Sequence, residues 1–141
     1  MEIKLDAESL RLMTLFENVT GAQVKDCLEE EDRLTFVVGE EDVGKAIGRQ
    51  GANLHKLRDI LKKDVEVVGW SDDRQKFVSN LFRRFKVESV QVEERRDGTV
   101  QVRVRVDARE KGRAIGREGR NIKLARTLAK RHHNVDDVVV D

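Results

Sequence analysis

Residues 44–54 read Gly-Lys-Ala-Ile-Gly-Arg-Gln-Gly-Ala-Asn-Leu, and residues 112–122 read Gly-Arg-Ala-Ile-Gly-Arg-Glu-Gly-Arg-Asn-Ile. The copies begin 68 positions apart and align without a gap over eleven positions. A repeat of this quality makes the 141-residue chain a tandem of one small module, residues 1–70 and 71–141. Each unit is small but within the range that folds on its own core. What is copied is an Ile-Gly-x-x-Gly turn in a basic setting. Glycine at both ends of a turn lets polypeptide backbone approach another backbone closely.

Hydrophobic spacing places the turn in the same order of elements twice. Asp6 is the expected N-cap of a helix with Leu12, Leu15, Phe16 and Val19 on its apolar face, ending near Gly21. Residues 22–28 and 33–38 read as a hairpin with Val24, Leu34, Phe36 and Val38 inward. A short helix over roughly 41–47 leads into Gly48-Arg49-Gln50-Gly51. A longer helix carries Leu54, Leu57, Ile60 and Leu61, and Val65, Val67 and Val68 close the unit as a strand. In the second unit Ser71 is the expected cap of a helix with Phe77, Val78, Leu81, Phe82 and Phe85 on its apolar face. Residues 87–94 and 99–106 form a hairpin across Asp97-Gly98, with valines alternating against Gln101, Arg103 and Arg105. A short helix reaches Ile115, the turn Gly116-Arg117-Glu118-Gly119 follows, then a helix with Ile122, Leu124, Ala125, Leu128 and Ala129, and a strand at Val138–Val140. About three extra residues around His132-His133-Asn134 set that last strand apart. Only Gly69-Trp70-Ser71 remains as a linker, too short for independent tumbling, and Trp70 is expected to pack either between the modules or within the first.

Net charge is +1, but the distribution is uneven. Residues 1–70 carry 10 Lys/Arg against 15 Asp/Glu, and residues 71–141 carry 18 against 12. Around the repeats the sign is positive in both units: 6 basic against 1 acidic over 44–63, and 9 against 2 over 109–133. Local potential, not whole-chain charge, is what draws a phosphate backbone.

The turn suits that ligand. The first amides of the second helix have no partner within the helix, and its dipole favours an anion there. Lys45, Arg49, Lys56, Arg113, Arg117, Arg120 and Lys123 supply neutralising charge, and Glu118 is the one carboxylate inside a turn. Ile47 and Leu54, with Ile115 and Ile122, are expected to form apolar groove floors on which bases lie. Asn53 and Asn121 are expected either to bond a base edge or to cap the helix start. No Lys-Ser/Thr follows Gly48 or Gly116, which argues against a P-loop. The glycine spacing and the preceding helix argue against a dinucleotide fingerprint. A plain tight turn is the remaining alternative, and the second copy weighs against it.

An Ile-Gly-x-x-Gly turn between two helices, in the order α-β-β-α-α-β, resembles the prokaryotic-type (type II) KH domain. Two of them on a short linker resemble the KH pair of the NusA family, in the short archaeal form that lacks the polymerase-binding N-terminal domain and the S1 domain. The resemblance implies an α+β fold of two tandem KH domains, each with a three-stranded sheet. It also implies single-stranded RNA binding, about four nucleotides per module, and a role in transcription termination or antitermination. RNA polymerase or another transcription factor is an implied partner. A ribosome-associated KH protein that binds ribosomal RNA is the alternative. On either reading the RNA-binding residues are Lys45, Ile47, Gly48, Arg49, Gln50, Gly51, Asn53 and Leu54 in the first module. In the second they are Arg113, Ile115, Gly116, Arg117, Glu118, Gly119, Arg120, Asn121, Ile122 and Lys123.

Other chemistry is not indicated. His132 and His133 are adjacent and expected to diverge on a helix end, and with one distant cysteine they make no zinc set. Cys27, the single cysteine, is expected to be a small structural residue in a reduced compartment. No nucleophile–base or paired-carboxylate arrangement suggests catalysis, and no cofactor is implied. No apolar run reaches the ~20 residues of a membrane span, and the N-terminus is too polar for a signal peptide. A cytoplasmic monomer is the expectation.

Overall fold

The computed structural model describes residues 6–141, which part into two compact units, 6–71 and 72–141. The reading of the extreme N-terminus falls partly outside the described residues. In the first unit helix α1 (Ala7–Thr20) is followed by strands β1 (Val24–Glu29) and β2 (Arg33–Gly39). A single 3-10 turn then leads into α2 (Val43–Ile47), the glycine turn, α3 (Ala52–Leu61) and β3 (Asp64–Trp70). The second unit runs α4 (Arg74–Leu81), β4 (Val87–Glu94), β5 (Val100–Val106), α5 (Lys111–Ile115), the second glycine turn, α6 (Arg120–His133) and β6 (Asp137–Val140). The α-β-β-α-α-β order expected from sequence is present twice, and each unit is α+β with a three-stranded sheet.

The two sheets share one topology. β1 and β2 pair antiparallel as a hairpin while β2 and β3 pair parallel, and β4, β5 and β6 repeat this. A parallel partner needs a crossover connection, and the helix–turn–helix segment supplies it. The β2–β3 register runs Leu34↔Val65, Phe36↔Val67, Val38↔Gly69, and the β5–β6 register runs Val102↔Val138, Val104↔Val140.

Alternation along the strands selects the core. In the first unit Val24, Cys27, Leu34, Phe36, Val38, Val65 and Val67 pack against Met13 and Phe16 of α1 and Leu57 of α3. The rings of Phe16 and Phe36 stack at 4.3 Å. In the second, Val90, Val102, Val104, Val106 and Val138 pack against Val78, Phe82, Ile122, Ala125 and Ala129. Cys27 shares the core face with Val24 because a bulge between Val24 and Asp26 adds a residue to β1 and resets the alternation. β4 carries its bulge at the matching place, between Val87 and Ser89.

Several local expectations need correction. Asp6 caps α1 as expected, accepting from Ser9 N–H at 2.8 Å. The cap of α4 is Asp73, not Ser71: its carboxylate accepts from the Gln75 and Lys76 amides, which Ser71 sits too early to reach. Gly69 and Trp70 are the last residues of β3, held in register with Val38 and Gly39, and so are not linker. Within its own unit the Trp70 ring takes the Lys25 ammonium at 4.9 Å from its centroid. α2 starts at Val43, because residues 40–42 form the 3-10 turn. α4 ends at Leu81, so Phe82 and Phe85 reach the core from the following turns and not from a helical face.

The extra residues of the second unit are one more turn of helix. α6 has 14 residues against 10 in α3, and its last turn is Lys130, Arg131, His132 and His133. Four cationic or titratable side chains suit the negative end of the dipole. The two histidines do not diverge: both rings lie on buried Phe77, with centroids at 5.4 and 5.2 Å. Arg103 pairs with Asp141 at 3.0 Å and with Glu93 at 3.8 Å, and Arg105 with Glu88 at 3.7 Å. These pairs make that sheet surface a solvated, charge-balanced face.

Asp136, just before β6, joins three elements. It accepts from Lys130 Nζ at 2.7 Å and from Val100 N–H at 2.8 Å. The Lys130 bond, then the Val100 amide, hold its carboxyl below the ordinary 3.8. A carboxyl lowered in the folded state contributes stability above its ordinary pKa and loses it as pH falls through the lowered value. Asp136→Asn is expected to lower the melting temperature at neutral pH, and to lower it by less at an acidic pH below 3.8, where the charge is being lost. Thermal unfolding of both proteins at the two pH values checks this; an equal difference at both would show that Asp136 does not act through its charge.

Candidate nucleic-acid interface

The two turns superpose in backbone conformation. Gly48 and Gly116 have φ/ψ of 81/168° and 84/163°. Two consecutive left-handed residues follow after one intervening arginine: Gln50 and Gly51 at φ 55° and 75°, and Glu118 and Gly119 at φ 56° and 73°. A left-handed non-glycine residue costs roughly 1–2 kcal/mol, and both modules carry one at the same place. The result is a chain reversal whose tip presents Arg49 and Gln50, or Arg117 and Glu118, to solvent.

Glycine is required at the first position for a second reason. A Cβ on Gly48 would lie 2.9 Å from the backbone N of Asn53, and one on Gly116 would lie 2.9 Å from that of Asn121. The asparagine side chains are occupied in holding the turn. Asn53 Nδ2 donates to the Lys45 carbonyl at 3.0 Å, and Asn121 Nδ2 to the Arg113 carbonyl at 2.9 Å. Each satisfies an orphan carbonyl at the end of the short helix and fixes the angle between the two helices. Base reading and capping were the expectations for these asparagines; the structure gives them the third role of a strap.

The helix starts beyond the turns carry no side-chain cap. α3 begins at Gly51 and α6 at Gly119, both left-handed glycines without a capping oxygen, whereas α1 and α4 are capped by Asp6 and Asp73. The Ala52 and Arg120 amides donate back to the Arg49 and Arg117 carbonyls within the turns; the amides that follow them have no side-chain cap and lie at the positive end of the helix dipole.

Two further glycines distinguish fold from ligand. Gly44 and Gly112 sit inside α2 and α5, are exposed, and would meet nothing within 4 Å if given a Cβ. Glycine in a helix costs about 1 kcal/mol relative to alanine, and packing asks for none here. A bare backbone ridge at the same place in both modules is what a closely approaching ligand backbone requires.

Charge around the turns is divided between the fold and solvent. Arg58 forms an ion pair with Asp64 at 3.1 Å and donates to the Val65 carbonyl, and Arg126 repeats this with Asp137 at 2.9 Å and the Val138 carbonyl. Lys63 pairs with Glu29 and Lys130 with Asp136. These cations hold helices to strands. Lys45, Arg49, Lys56, Arg113, Arg117 and Lys123 project from the exposed surface at the turns. His55, absent from the sequence-derived set, also stands there, 3.6 Å from where a Gly51 Cβ would be. Its register counterpart is Lys123, and that substitution was the available signal.

The expected apolar floors are only partly present. Ile47, Leu54 and Ile115 are half-buried at the turns. Ile122 is 9% exposed and packs in the core, with its Cγ2 3.5 Å from where a Gly119 Cβ would be. An open concavity of about 410 Å³ lies beside the second turn, lined by Gly112, Arg113, Gly116, Arg117, Arg120 and Asn121 and, from the end of the α4–β4 connection, Arg84 and Phe85. Arg84 and Phe85 were not legible as site residues, since only the fold brings that connection to the turn.

Residues 12–72 match the KH domain family, and residues 74–138 match the NusA-like second KH domain. Curated relatives cover the whole pair. The chain is 36% identical over 140 residues to "Probable transcription termination protein NusA" of Methanococcus vannielii, covering 99% of this chain and 80% of that one. It is 36% identical to the protein of that name in Halococcus morrhuae, with 98% of each covered. It belongs to the NusA-like family of tandem KH proteins. The same name is carried by a Thermoplasma acidophilum relative, 32% identical over 99% of this chain and 96% of its own length. Among solved structures, the crystal structure of APE1850 matches with a TM-score of 0.79 and 40% identity, covering 97% of this chain and all of the other. The NusA-like KH pair thus accounts for both glycine turns and for the repeated sheet topology.

The two glycine classes give opposite expectations. Gly112→Ala relieves helix entropy in open space and is expected to raise stability by about 0.4–1 kcal/mol. Gly116→Ala meets the Asn121 backbone at a left-handed φ and is expected to cost about 1–3 kcal/mol. Urea unfolding of the two variants separates them; a destabilising Gly112→Ala would return that glycine to a packing role.

Proposed function

We propose that this protein binds single-stranded RNA through both turns and acts on nascent transcripts in termination or antitermination, as a binding factor without a catalytic step. The observation that carries the reading is the doubled turn. Two uncapped helix starts, each behind a bare glycine ridge and each framed by cations, supply the amides, dipole and charge that a phosphodiester backbone needs. The names of the relatives support the transcriptional setting. RNA polymerase, or a factor bound to it, is the partner class such a role requires, and the cytoplasm is where such transcripts are made. Among the described residues, no helix is long and apolar enough to cross a membrane.

Single strands are preferred over duplex on this reading, because the half-buried Ile47, Leu54 and Ile115 offer contact only to unstacked bases. Each module takes about four nucleotides, and the short connection at residues 71–73 keeps the second turn at high effective concentration once the first is bound. Affinity is expected to rise steeply between strands of about four and about twelve nucleotides, and to weaken with salt as phosphates are neutralised.

Charge reversal tests the turns themselves. Asp tolerates the left-handed region better than most residues, so Arg49→Asp/Gln50→Asp and Arg117→Asp/Glu118→Asp are expected to fold. Each pair is expected to weaken RNA binding at least tenfold, about 1.4 kcal/mol. Fluorescence anisotropy with labelled single strands reads this, and circular dichroism verifies the fold. A folded protein with all four substitutions and undiminished RNA affinity would remove the clamp from consideration. RNA crosslinked to the protein in cells, nascent transcript or ribosomal RNA, decides the transcriptional part.

A further inference from the structure

The two modules are not equivalent beside their turns. The strand registers Val24↔Val38 and Val87↔Val106 share the 68-residue offset of the glycine turns on the central strand. Counting back from Val24 and Val87, Gly21 and Ala22 therefore correspond to Arg84 and Phe85. Lys45 and Arg113 correspond likewise, and in both modules this cation crosses to the connection between the first helix and the first strand. In the first module Lys45 lies along Gly21, its Cε 3.2 Å from where a Cβ would be. In the second, Arg113 meets an aromatic ring: the guanidinium carbons of Arg113 and Arg84 stand 5.9 and 5.3 Å from the Phe85 ring centroid. Phe85 is 9% exposed, so the ring serves as a support while the guanidinium groups face solvent.

Four arginines, Arg84, Arg113, Arg117 and Arg120, line the concavity of about 410 Å³ beside this turn, and no carboxylate lines it. Glu110 reaches Arg113 from the side, at 3.8 Å. Lysines would suffice to neutralise phosphate. Planar guanidinium groups held by a ring offer in addition a flat surface on which a base can stack.

Resting on the RNA-binding reading, we propose that Arg84 and Arg113, carried by Phe85, form a base-stacking platform that holds one unpaired RNA base beside the second turn. The first module, with Gly21, Ala22 and Lys45 in those places, lacks the platform and grips backbone alone there. The second module is then the one that senses whether a base is present, and the pair reads a strand unevenly.

Arg84→Lys separates plane from charge, because it keeps the cation and loses the flat surface. Arg84 is exposed and its replacement leaves the core intact, unlike that of Phe85. The probes are a random-sequence pool of twelve-nucleotide single-stranded RNA and an abasic ribose-phosphate strand of the same length. The wild-type protein is expected to bind the pool at least about tenfold more tightly than the abasic strand. Arg84→Lys is expected to reduce that ratio about fivefold or more while leaving abasic affinity within about twofold. A control change of the same kind at an exposed arginine in the β4–β5 connection, Arg96→Lys, is expected to leave the ratio unaltered. An unchanged ratio in Arg84→Lys, with RNA still bound, overturns the platform and leaves RNA binding standing. Wild-type protein that binds neither probe overturns both readings.

Discussion

Parallel pairing of β2 with β3, and of β5 with β6, is the constraint on which the rest of each module depends. A parallel neighbour cannot be reached by a tight turn, so the chain must travel along the sheet and back within its crossover. Here that crossover is cut in two by glycines. The break falls where the chain is farthest from its hydrogen-bonded anchors, so the turn is exposed while its base is fixed by the sheet. Helix packing from Ala46 and Leu57, or Ala114 and Ala125, holds the two halves down on the core. Asn53 and Asn121 then fix their mutual angle. The site is thus a by-product of topology sharpened by two hydrogen bonds.

Much of this could be read from residues alone, because the repeat reported on two levels at once. Eleven aligned positions gave the doubled KH organisation, and the alternating valines of 100–106 gave a strand with one core face. Asp97-Gly98 marked the hairpin, and Asp6 the start of α1. What stayed illegible depended on long-range geometry. A bulge in β1 decides the face of Cys27, and periodicity cannot reveal a bulge. Ser71 and Asp73 are both good caps, and only the start of the helix chooses between them. Ile122 sits at the same register as Leu54, yet one is core and the other half-exposed. Arg84 and Phe85 lie about thirty residues before the turn they flank, and no local pattern connects them to it.

The asymmetry between the modules has a simple chemical form. Lys45, Gly21 and His55 in the first unit face Arg113, Arg84 and Lys123 in the second. The first set is smaller and holds one imidazole; the second carries two planar guanidinium groups and one ammonium. Duplication supplied two copies of the backbone reversal, and substitution at its margins made them chemically distinct. The strap asparagines, the left-handed pair and the exposed helix glycines are unchanged between copies. Those features form the invariant clamp, and the flanking cations are where the two clamps differ.

The paired bulges carry one more implication. Among the described residues β1 and β4 are border strands of their sheets, and a protein built from two copies of one hairpin offers each such border a nearly matching strand to join, within its own chain or in a neighbour's. Such joining needs a flat, continuous ladder. β1 and β4 interrupt theirs at the entry point, Val24/Asp26 and Val87/Ser89, where the extra residue twists the strand out of line. The kink that places Cys27 in the core thereby also protects a duplicated chain from exchanging strands with itself.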